Sequence, residues 1–275
     1  MSPKPAEYPP ATDKDNPTSP EAYLDLPNVQ LYIEKLENLL KEHPEAEVFV
    51  KRAKSMIYDM LTRRSEFIKN TEGAGLNVAE LMEAYQPQMA WYKETKGRLV
   101  DTINASKEFK WESNPGWFGV NTRPEEPRRE EVSLKVYATI PITEYAFLQH
   151  IPELMSELRQ LSIESDDVAH IKFPESLTGF ISNNDSIVIH FKKKENVEKI
   201  QKLLDTWMKA HGIHEEPREM GRTKVGADPK GSSFSDILSK TIAEWLEQNA
   251  GKYDNALLAR EAAKHAIEQS QKKPF

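Results

Sequence analysis

The chain has 275 residues, a formal net charge of −7 and no cysteine, and hydrophobic residues make up 38% of it. The lack of cysteine excludes disulfide bonds and thiolate metal sites. The negative charge argues against general binding to nucleic acid, and no apolar run approaches the length of a membrane-spanning helix. We therefore expect a soluble protein that has neither nucleic acid nor a membrane as its partner.

The N-terminal segment, residues 1–27, is rich in proline, charged and small polar residues, which predicts a flexible tail. It has no apolar segment of the kind found in secretory signals, so we expect a cytoplasmic location. From residue 28 to about residue 112, apolar residues recur at helical spacing and predict a helical subdomain. Its methionine and aromatic residues lie on the inward stripe, which indicates a core and not a site. Pro44 suits the first turn of its second helix.

The next segment, residues 113–130, combines proline, glycine and mixed charges and predicts an irregular connection. Alternating apolar and polar residues in EVSLKVYATIP, residues 131–141, then predict a half-buried strand. This alternation places Lys135 and Tyr137 on one face, about 7 Å apart. The pattern leaves open whether they are ordinary solvent-facing residues or a proton-transfer pair that lines a cleft.

The rest of the chain predicts a helix over residues 147–161, in which Pro152 marks either a kink or the helix start. Strands at 168–173 and 186–191 and a helix over 197–208 follow. This order predicts an α+β fold, in which a helical subdomain precedes a small, mostly antiparallel sheet with helices packed on one face. We place the sheet domain at residues 131–250. It includes a long polar loop at 213–231, of a length that is often functional, and a helix that Ser233 could cap. Residues 251–275 form a last helix and a frayed end.

Motifs of several enzyme classes are absent from the sequence. The seven histidines show no close metal-ligand spacing. There is no phosphate-binding P-loop, no GxGxxG and no GxSxG nucleophile motif. We therefore expect neither a metal nor a cofactor, and a metallohydrolase, a nucleotide-binding enzyme or a serine hydrolase is disfavoured.

Three stretches taken together resemble a known family. They are LKVYATI at 134–140, NNDSIVIHF at 183–191 and VGADPKGSSF at 225–234. In this order and spacing they are similar to the Hop-A type of bacterial type III effectors, which is related to phosphothreonine lyases and to the lyase components of lanthipeptide biosynthesis. The resemblance covers about residues 130–250. For an effector-like protein it also implies delivery to a host cell cytoplasm.

The resemblance implies a cofactor-free β-elimination from a phosphoserine or phosphothreonine residue. A lysine removes the α-proton, phosphate leaves and a dehydroamino acid remains. Lys135 would be the base, and Tyr137 stands where the phosphothreonine lyases carry a histidine acid. Phosphate and substrate binding is assigned to four basic residues: Lys172, His190, Arg222 and Lys224. The alternatives are that Lys172 is a surface lysine on an edge strand and that the two loop residues are solvated.

The sequence also departs from the family pattern. The family favours an arginine just before Asp185, where this chain has asparagines, and an arginine on the helix that follows residues 233–234. Three lysines could substitute for these arginines: Lys192, Lys230 and Lys240. Otherwise the site no longer processes a phosphorylated residue.

Three functions therefore stay open. The first is an eliminase that acts on a phosphorylated peptide or protein. The second is a catalytically inactive module on the same scaffold, which binds a peptide or protein partner. The third is a helix-rich α+β domain in which Lys135 lies on a wet strand face. The sequence does not indicate an oligomeric state.

Overall fold

The computed structural model describes residues 19–73, 75, 77–125, 133–218, 222–228 and 233–272. Within these residues the α-helices are, in chain order, α1 (Pro20–Tyr23), α2 (Pro27–Glu42), α3 (Ala46–Thr62), α4 (Ser65–Ile68), α5 (Val78–Glu83), α6 (Gln86–Ser106), α7 (Ile151–Glu164), α8 (Leu177–Ser182), α9 (Val197–Ala210), α10 (Phe234–Asn249) and α11 (Asn255–Gln271). A π-helical turn covers Lys69–Gly73, and 3-10 helices cover Ile142–His150 and Lys194–Asn196. No helix in this part of the chain has both the length and the apolar composition needed to cross a membrane.

The strands of the described residues form one six-stranded sheet. They are β1 (Lys110–Asn114), β2 (Trp117–Asn121), β3 (Ser133–Ala138), β4 (His170–Pro174), β5 (Ile187–Phe191) and β6 (Val225–Asp228). Their order across the sheet is β1-β2-β4-β5-β3-β6, and every pairing between them is antiparallel. Together with the helices, this sheet confirms the predicted α+β class.

The chain folds into two compact units. One unit contains the six-stranded sheet and helices α5–α9, and the other contains α1–α4, α10 and α11. These boundaries differ from the predicted division into a helical subdomain at 28–112 and a sheet domain at 131–250. Helices α5 and α6 belong to the sheet unit, and α10 belongs to the helical unit. An amphipathic stripe predicts that one face of a helix is buried, but it does not identify the element against which that face packs.

The helical unit is held together by one apolar cluster. Helices α2, α3, α10 and α11 all contribute to it. Helix α10 packs against α3 and supplies Leu238, Ile242 and Leu246 to the cluster. Burial of these side chains explains why α10 belongs to the helical unit. In sequence, α10 directly follows the last strand of the sheet unit.

Both ends of the described chain are more ordered than predicted. Residues 1–18 of the predicted tail lie outside the described part. Residues 19–27 contradict the prediction, because Ser19 caps α1 and Tyr23 and Leu24 are buried. At the other end, α11 continues to Gln271, with Ser270 buried, where the sequence predicts fraying. Residues 273–275 lie outside the described part.

Helix termini agree only partly with the predictions. Asp254 caps α11, and its carboxylate accepts a hydrogen bond of 3.0 Å from the Leu257 amide. Ser233 precedes α10, but its side chain makes no capping hydrogen bond, so that prediction was wrong. Pro44 lies before α3, which begins at Ala46, and not in its first turn.

The sheet has one apolar face and one polar face, because side chains alternate along each strand. The apolar face is formed by Phe118, Val120, Leu134, Val136, Ala138, Ile171, Phe173, Ile187, Ile189 and Phe191. The rings of Phe118 and Phe173 are 5.1 Å apart. Helix α9 lies beside β3 and α8 beside β4, and Phe191 lies with Leu161 of α7 and Ile200 of α9. These helices cover the apolar face, as the sequence predicts.

A β-hairpin at residues 110–121 corrects the predicted irregular connection at 113–130. Strands β1 and β2 pair along their whole length, so Pro115 and Gly116 form a two-residue turn. Gly116 has φ +79°, and proline followed by such a glycine is typical of a type II turn. Pro115 and Gly116 therefore form the turn that joins two paired strands, where the sequence predicts an irregular connection. Residues 126–132 lie outside the described part of the chain.

The structure also bears on two further predictions, for the loop at 213–231 and for Pro152. The loop predicted at 213–231 contains β6, which pairs with β3 at the edge of the sheet. A short helix, α8, lies between β4 and β5. Pro152 lies in the first turn of α7, so it marks the start of the helix and not a kink.

A buried tyrosine fixes α6 against the sheet within its unit. Tyr92 is 1% exposed, and its hydroxyl donates a hydrogen bond of 2.8 Å to the carbonyl of Pro174 at the end of β4. Burial raises the pKa of Tyr92 well above its ordinary value. The hydroxyl therefore stays protonated and keeps this hydrogen bond at all physiological pH values.

Candidate functional site

Polar side chains share one face of the sheet over adjacent strands, here named the polar face. In the antiparallel register, His190 of β5 lies directly opposite Lys135 of β3 and directly opposite His170 of β4. Two residues farther along β3 and β4, Tyr137 and Lys172 both lie opposite the same residue of β5. Directly opposite residues point to the same face. The fold therefore brings four of the six predicted site residues onto one surface.

Lys135 makes an ion pair inside this face. Its Nζ lies 2.5 Å from Oδ2 of Asp228, and each of the two side chains is 10% exposed. Asp228 reaches the lysine because β6 pairs with β3 at the edge of the sheet. The interpretation of Lys135 as a residue on a wet strand face is therefore wrong, since residues that adjacent strands bring together enclose its amine.

Tyr137 is covered by an arginine. The guanidinium carbon of Arg218 lies 3.8 Å from the centroid of the tyrosine ring. Arg218 also donates two hydrogen bonds to the Asp185 carboxylate, of 2.8 Å and 3.0 Å, and its side chain is 3% exposed. The amide of Glu216 donates to the carbonyl of Thr139 just after β3, which brings Arg218 above the ring. A fixed cation over the ring holds it in place.

Gly226 makes room for the tyrosine. It lies opposite Lys135 on β6, and a Cβ atom built on it would lie 2.7 Å from Oη and 2.8 Å from Cε2 of Tyr137. Real Cβ atoms do not approach other atoms so closely. The absence of a side chain at this position therefore lets the tyrosine ring lie flat across the edge strand, with its hydroxyl on the same row as Lys135.

We expect Gly226→Ala to lower the free energy of unfolding by about 1–3 kcal/mol, because the new methyl group displaces the ring of Tyr137. Gly97→Ala is the matched control. Gly97 is an exposed residue inside α6 with no atom within 4 Å of an added Cβ, so this change should add about 0.5–1 kcal/mol of stability. Urea unfolding of both variants measures the difference, and equal effects of the two would contradict the packing of Tyr137 described above.

Two buried histidines continue the polar face away from Lys135. The ring centroids of His170 and His190 are 5.7 Å apart, and Nε2 of His170 lies 3.1 Å from Oε1 of Glu112 on β1. A Cβ atom on Gly119 would lie 2.7 Å from that same Nε2. Because Gly119 on β2 has no side chain, the imidazole of His170 has space to reach Glu112. Glu112, His170 and His190 therefore lie next to one another on the polar face.

Lys172 lies on an interior strand. Strand β4 pairs with β2 on one side and with β5 on the other, so the alternative of a surface lysine on an edge strand is wrong. Two strand spacings separate its Cα from that of Tyr137, which is about 10 Å. A substrate that reached both residues would therefore span β5, where His190 lies.

Arg222 belongs to the helical unit. Its guanidinium donates hydrogen bonds to the carbonyl of Leu61, at 2.7 Å, and to the hydroxyl of Ser235, at 3.1 Å, and the residue is buried. These contacts tie the end of α3 to the start of α10. They give Arg222 a structural role in place of the predicted position in an open loop.

The remaining predicted cations have other surroundings. Lys224 makes an ion pair with Glu215 at the edge of the sheet unit. Of the lysines proposed to replace the missing family arginines, Lys240 pairs with Glu244 on α10 of the helical unit, and Lys230 lies outside the described residues. Arg218 is instead the arginine that contacts Asp185.

Five residues of the polar face were not predicted: Glu112, His170, Asp185, Arg218 and Asp228. Three of them carried a local signal. His170 lies two residues before Lys172 in the same predicted strand, and therefore on the same face. Asp185 and Asp228 lie inside the NNDSIVIHF and VGADPKGSSF stretches that the resemblance used. The other two come from a hairpin and a loop whose positions no local pattern gives.

Comparisons of the chain with family models, with curated proteins and with solved structures found no match in any of the three. Within the described residues, no three histidine, aspartate or glutamate side chains are arranged to hold a metal ion. The polar face offers amine, phenol, imidazole, guanidinium and carboxylate groups for chemistry.

Proposed function

We propose that the polar face eliminates phosphate from a phosphorylated serine or threonine side chain of a peptide or protein. One observation carries the proposal: Lys135 and Tyr137 are both 8% exposed and share one face of β3, with His190 opposite the lysine and Arg218 over the tyrosine. A base and an acid placed two residues apart on one strand can act on the α-carbon and on the oxygen bonded to the β-carbon of one substrate residue. The resemblance of three sequence stretches to a family of such lyases supports the same reaction.

In the proposed reaction Lys135 Nζ accepts the α-proton of the phosphorylated residue. The electron pair of that C–H bond forms a double bond between the α- and β-carbons. The bond between the β-carbon and the phosphate oxygen breaks, and Tyr137 gives its hydroxyl proton to the leaving phosphate. The products are a dehydroamino acid and inorganic phosphate, and the reaction uses no oxidant, reductant or cofactor.

Arg218 and Lys172 supply the positive charge that a phosphate requires. Arg218 lies over Tyr137, close to the position at which the leaving oxygen takes up its proton. Lys172 lies on the other side of β5 in the same row as Tyr137. A hydrogen bond from a charged donor to phosphate contributes about 1.5–3 kcal/mol. Lys172 would make such a bond, while Arg218, which pairs with Asp185, would act on the leaving oxygen through its position over Tyr137.

The elimination can be tested by incubating the protein with phosphoserine and phosphothreonine peptides. We expect a mass loss of about 98 Da, the mass of phosphoric acid. Lys135→Arg should lower the rate by about 10²–10⁴-fold, because arginine keeps a cation beside Asp228 but cannot act as a base. Lys202→Arg, an exposed change on α9, is the matched control and should retain the parent rate. A mass loss that Lys135→Arg leaves unchanged would refute the role of Lys135.

A second function is favoured by the ion pair of Lys135 with Asp228. In this pair the amine carries its proton, which suits recognition of an anionic group and not proton abstraction. The protein would then bind a phosphorylated peptide or protein partner without turnover. Calorimetry separates the two functions: heat of binding to a phosphopeptide that stays intact supports the binding module, and any elimination product excludes it.

A further inference from the structure

A line of five titratable side chains crosses the polar face from the buried lysine towards solvent. These residues, here named the proton row, are Glu112, His170, His190, Lys135 and Asp228. They come from five of the six strands, and each lies beside the next in space. The proposed function assigns none of its steps to the two histidines or to Glu112.

The lysine at the inner part of this row has to lose a proton before it can work as a base. The Lys135 amine lies 2.5 Å from Oδ2 of Asp228, and each of the two side chains is only 10% exposed, so this pair has little contact with bulk water. On its other side Lys135 lies directly opposite His190. Cβ atoms of directly opposite residues in an antiparallel pair are about 4.5–5.5 Å apart, which puts the imidazole within reach of the long lysine side chain.

The next two contacts lead to the surface. His190 lies directly opposite His170, with the rings 5.7 Å apart in an edge-to-face arrangement. His170 Nε2 lies 3.1 Å from Glu112 Oε1, and the side chain of Glu112 is 38% exposed. Gly119, whose Cβ would collide with His170, keeps this last contact open. The row therefore runs from a 10% exposed amine to a carboxylate in contact with water.

We propose that the proton row carries the proton of Lys135 to solvent and so converts its ammonium into the free amine. The step balances without a further reactant. Lys135 gives a proton to one ring nitrogen of His190, and the other nitrogen gives one to His170. His170 Nε2 passes its proton to Glu112, and Glu112 releases it to water. His190 and His170 are thus proton carriers, in addition to the substrate contact predicted for His190. This inference rests on the proposed function only in giving Lys135 the role of a base.

The charged groups around the proton row determine which of its two histidines is protonated first. His190 is faced by Lys135 and Tyr137 from β3 and by His170 and Lys172 from β4. His170 is faced by Glu112. The carboxylate favours the protonated form of His170, and two adjacent imidazoles disfavour a second positive charge. We therefore expect His170 to hold the proton first and His190 to accept one from Lys135.

Two NMR measurements on the full chain test the row without any turnover. The first is the titration of the imidazoles in parent and Glu112→Gln proteins. Removal of the carboxylate should lower the titration midpoint of His170 and raise that of His190, each by about one pH unit. His214, whose side chain is 80% exposed and pairs with Glu144, is the internal control and should not move. Unchanged midpoints for both His170 and His190 would contradict the proposed proton transfer along the row.

The second measurement is the exchange of the Lys135 ammonium protons with water. His190→Gln should slow this exchange at least about tenfold, while the amide of Ile189, buried on the same strand, reports any general opening and should exchange as before. Exchange at the parent rate would exclude His190 as the carrier. If phosphopeptides are also eliminated, the steady-state rate should fall by a similar factor. If the midpoints and the exchange rate change as expected but no peptide loses phosphate, the proposed elimination is wrong. The proposed proton transfer along the row is then still supported.

Discussion

Lys135→Met should lower the free energy of unfolding by about 3–5 kcal/mol, because it leaves the carboxylate of Asp228 buried without its cation. Both side chains are 10% exposed, so solvent cannot take over the role of the lysine. Methionine has nearly the same length as lysine and fills the same space, which separates loss of charge from loss of packing. Urea unfolding of the purified variant gives the value directly.

A double-mutant cycle isolates the ion pair itself. Asp228→Leu alone leaves the ammonium unpaired and should cost a similar amount, whereas the double variant Lys135→Met/Asp228→Leu removes both buried charges and should be much more stable than either single variant. Lys224→Met is the matched control, because its partner Glu215 lies at the same edge but the lysine side chain is 47% exposed. That change should cost at most about 1 kcal/mol. Additive single effects would mean that the two residues are not coupled.

The second large effect is expected at Asp167. Its carboxylate accepts hydrogen bonds from the amides of Val168, Lys192 and Lys193 and from the side chain of Asn196, at 2.8–3.0 Å. Asp167 is 5% exposed. Asp167→Ala removes the common acceptor of four donors, three of them in the segment that connects β5 to α9. We expect a loss of about 3 kcal/mol, since a buried donor without an acceptor costs about 1–3 kcal/mol.

The neighbouring Asp166 provides the control. Its side chain is 87% exposed, and its φ of +48° is one that asparagine tolerates well. Asp166→Asn should therefore change the free energy of unfolding by less than about 0.5 kcal/mol. Thermal and urea unfolding of the two variants should differ clearly, and equal stabilities would show that the carboxylate of Asp167 does not hold the β5–α9 connection.

Several parts of the fold were predictable because their cause is local. The alternation in residues 131–141 gives a strand with Lys135 and Tyr137 on one face, and the apolar stripe of residues 197–208 gives α9. In both cases the period of the apolar residues matches the geometry of one element. The α+β class followed from the order of such elements along the chain.

The errors arose where local signals had two meanings. Pro115 and Gly116 mark a hairpin turn as readily as an irregular segment, and the sequence does not show which of these the flanking residues form. The stripe of α10 predicted a packed helix correctly, but its partner is α3 and not the sheet. Arg222 lies in a polar loop by composition, yet Leu61 and Ser235 bind its guanidinium.

By itself, the sequence determined which side chains share a face of one element, because helix and strand periods are properties of the backbone. That is how Lys135 and Tyr137 were found as a pair. Only the tertiary structure decided which strands lie next to each other, and so supplied Asp228, His190 and Arg218 as their neighbours. These residues are distant along the chain, and the pairing of β3 with β5 and β6 is stabilised by burial of the whole apolar face of the sheet, which no short segment encodes.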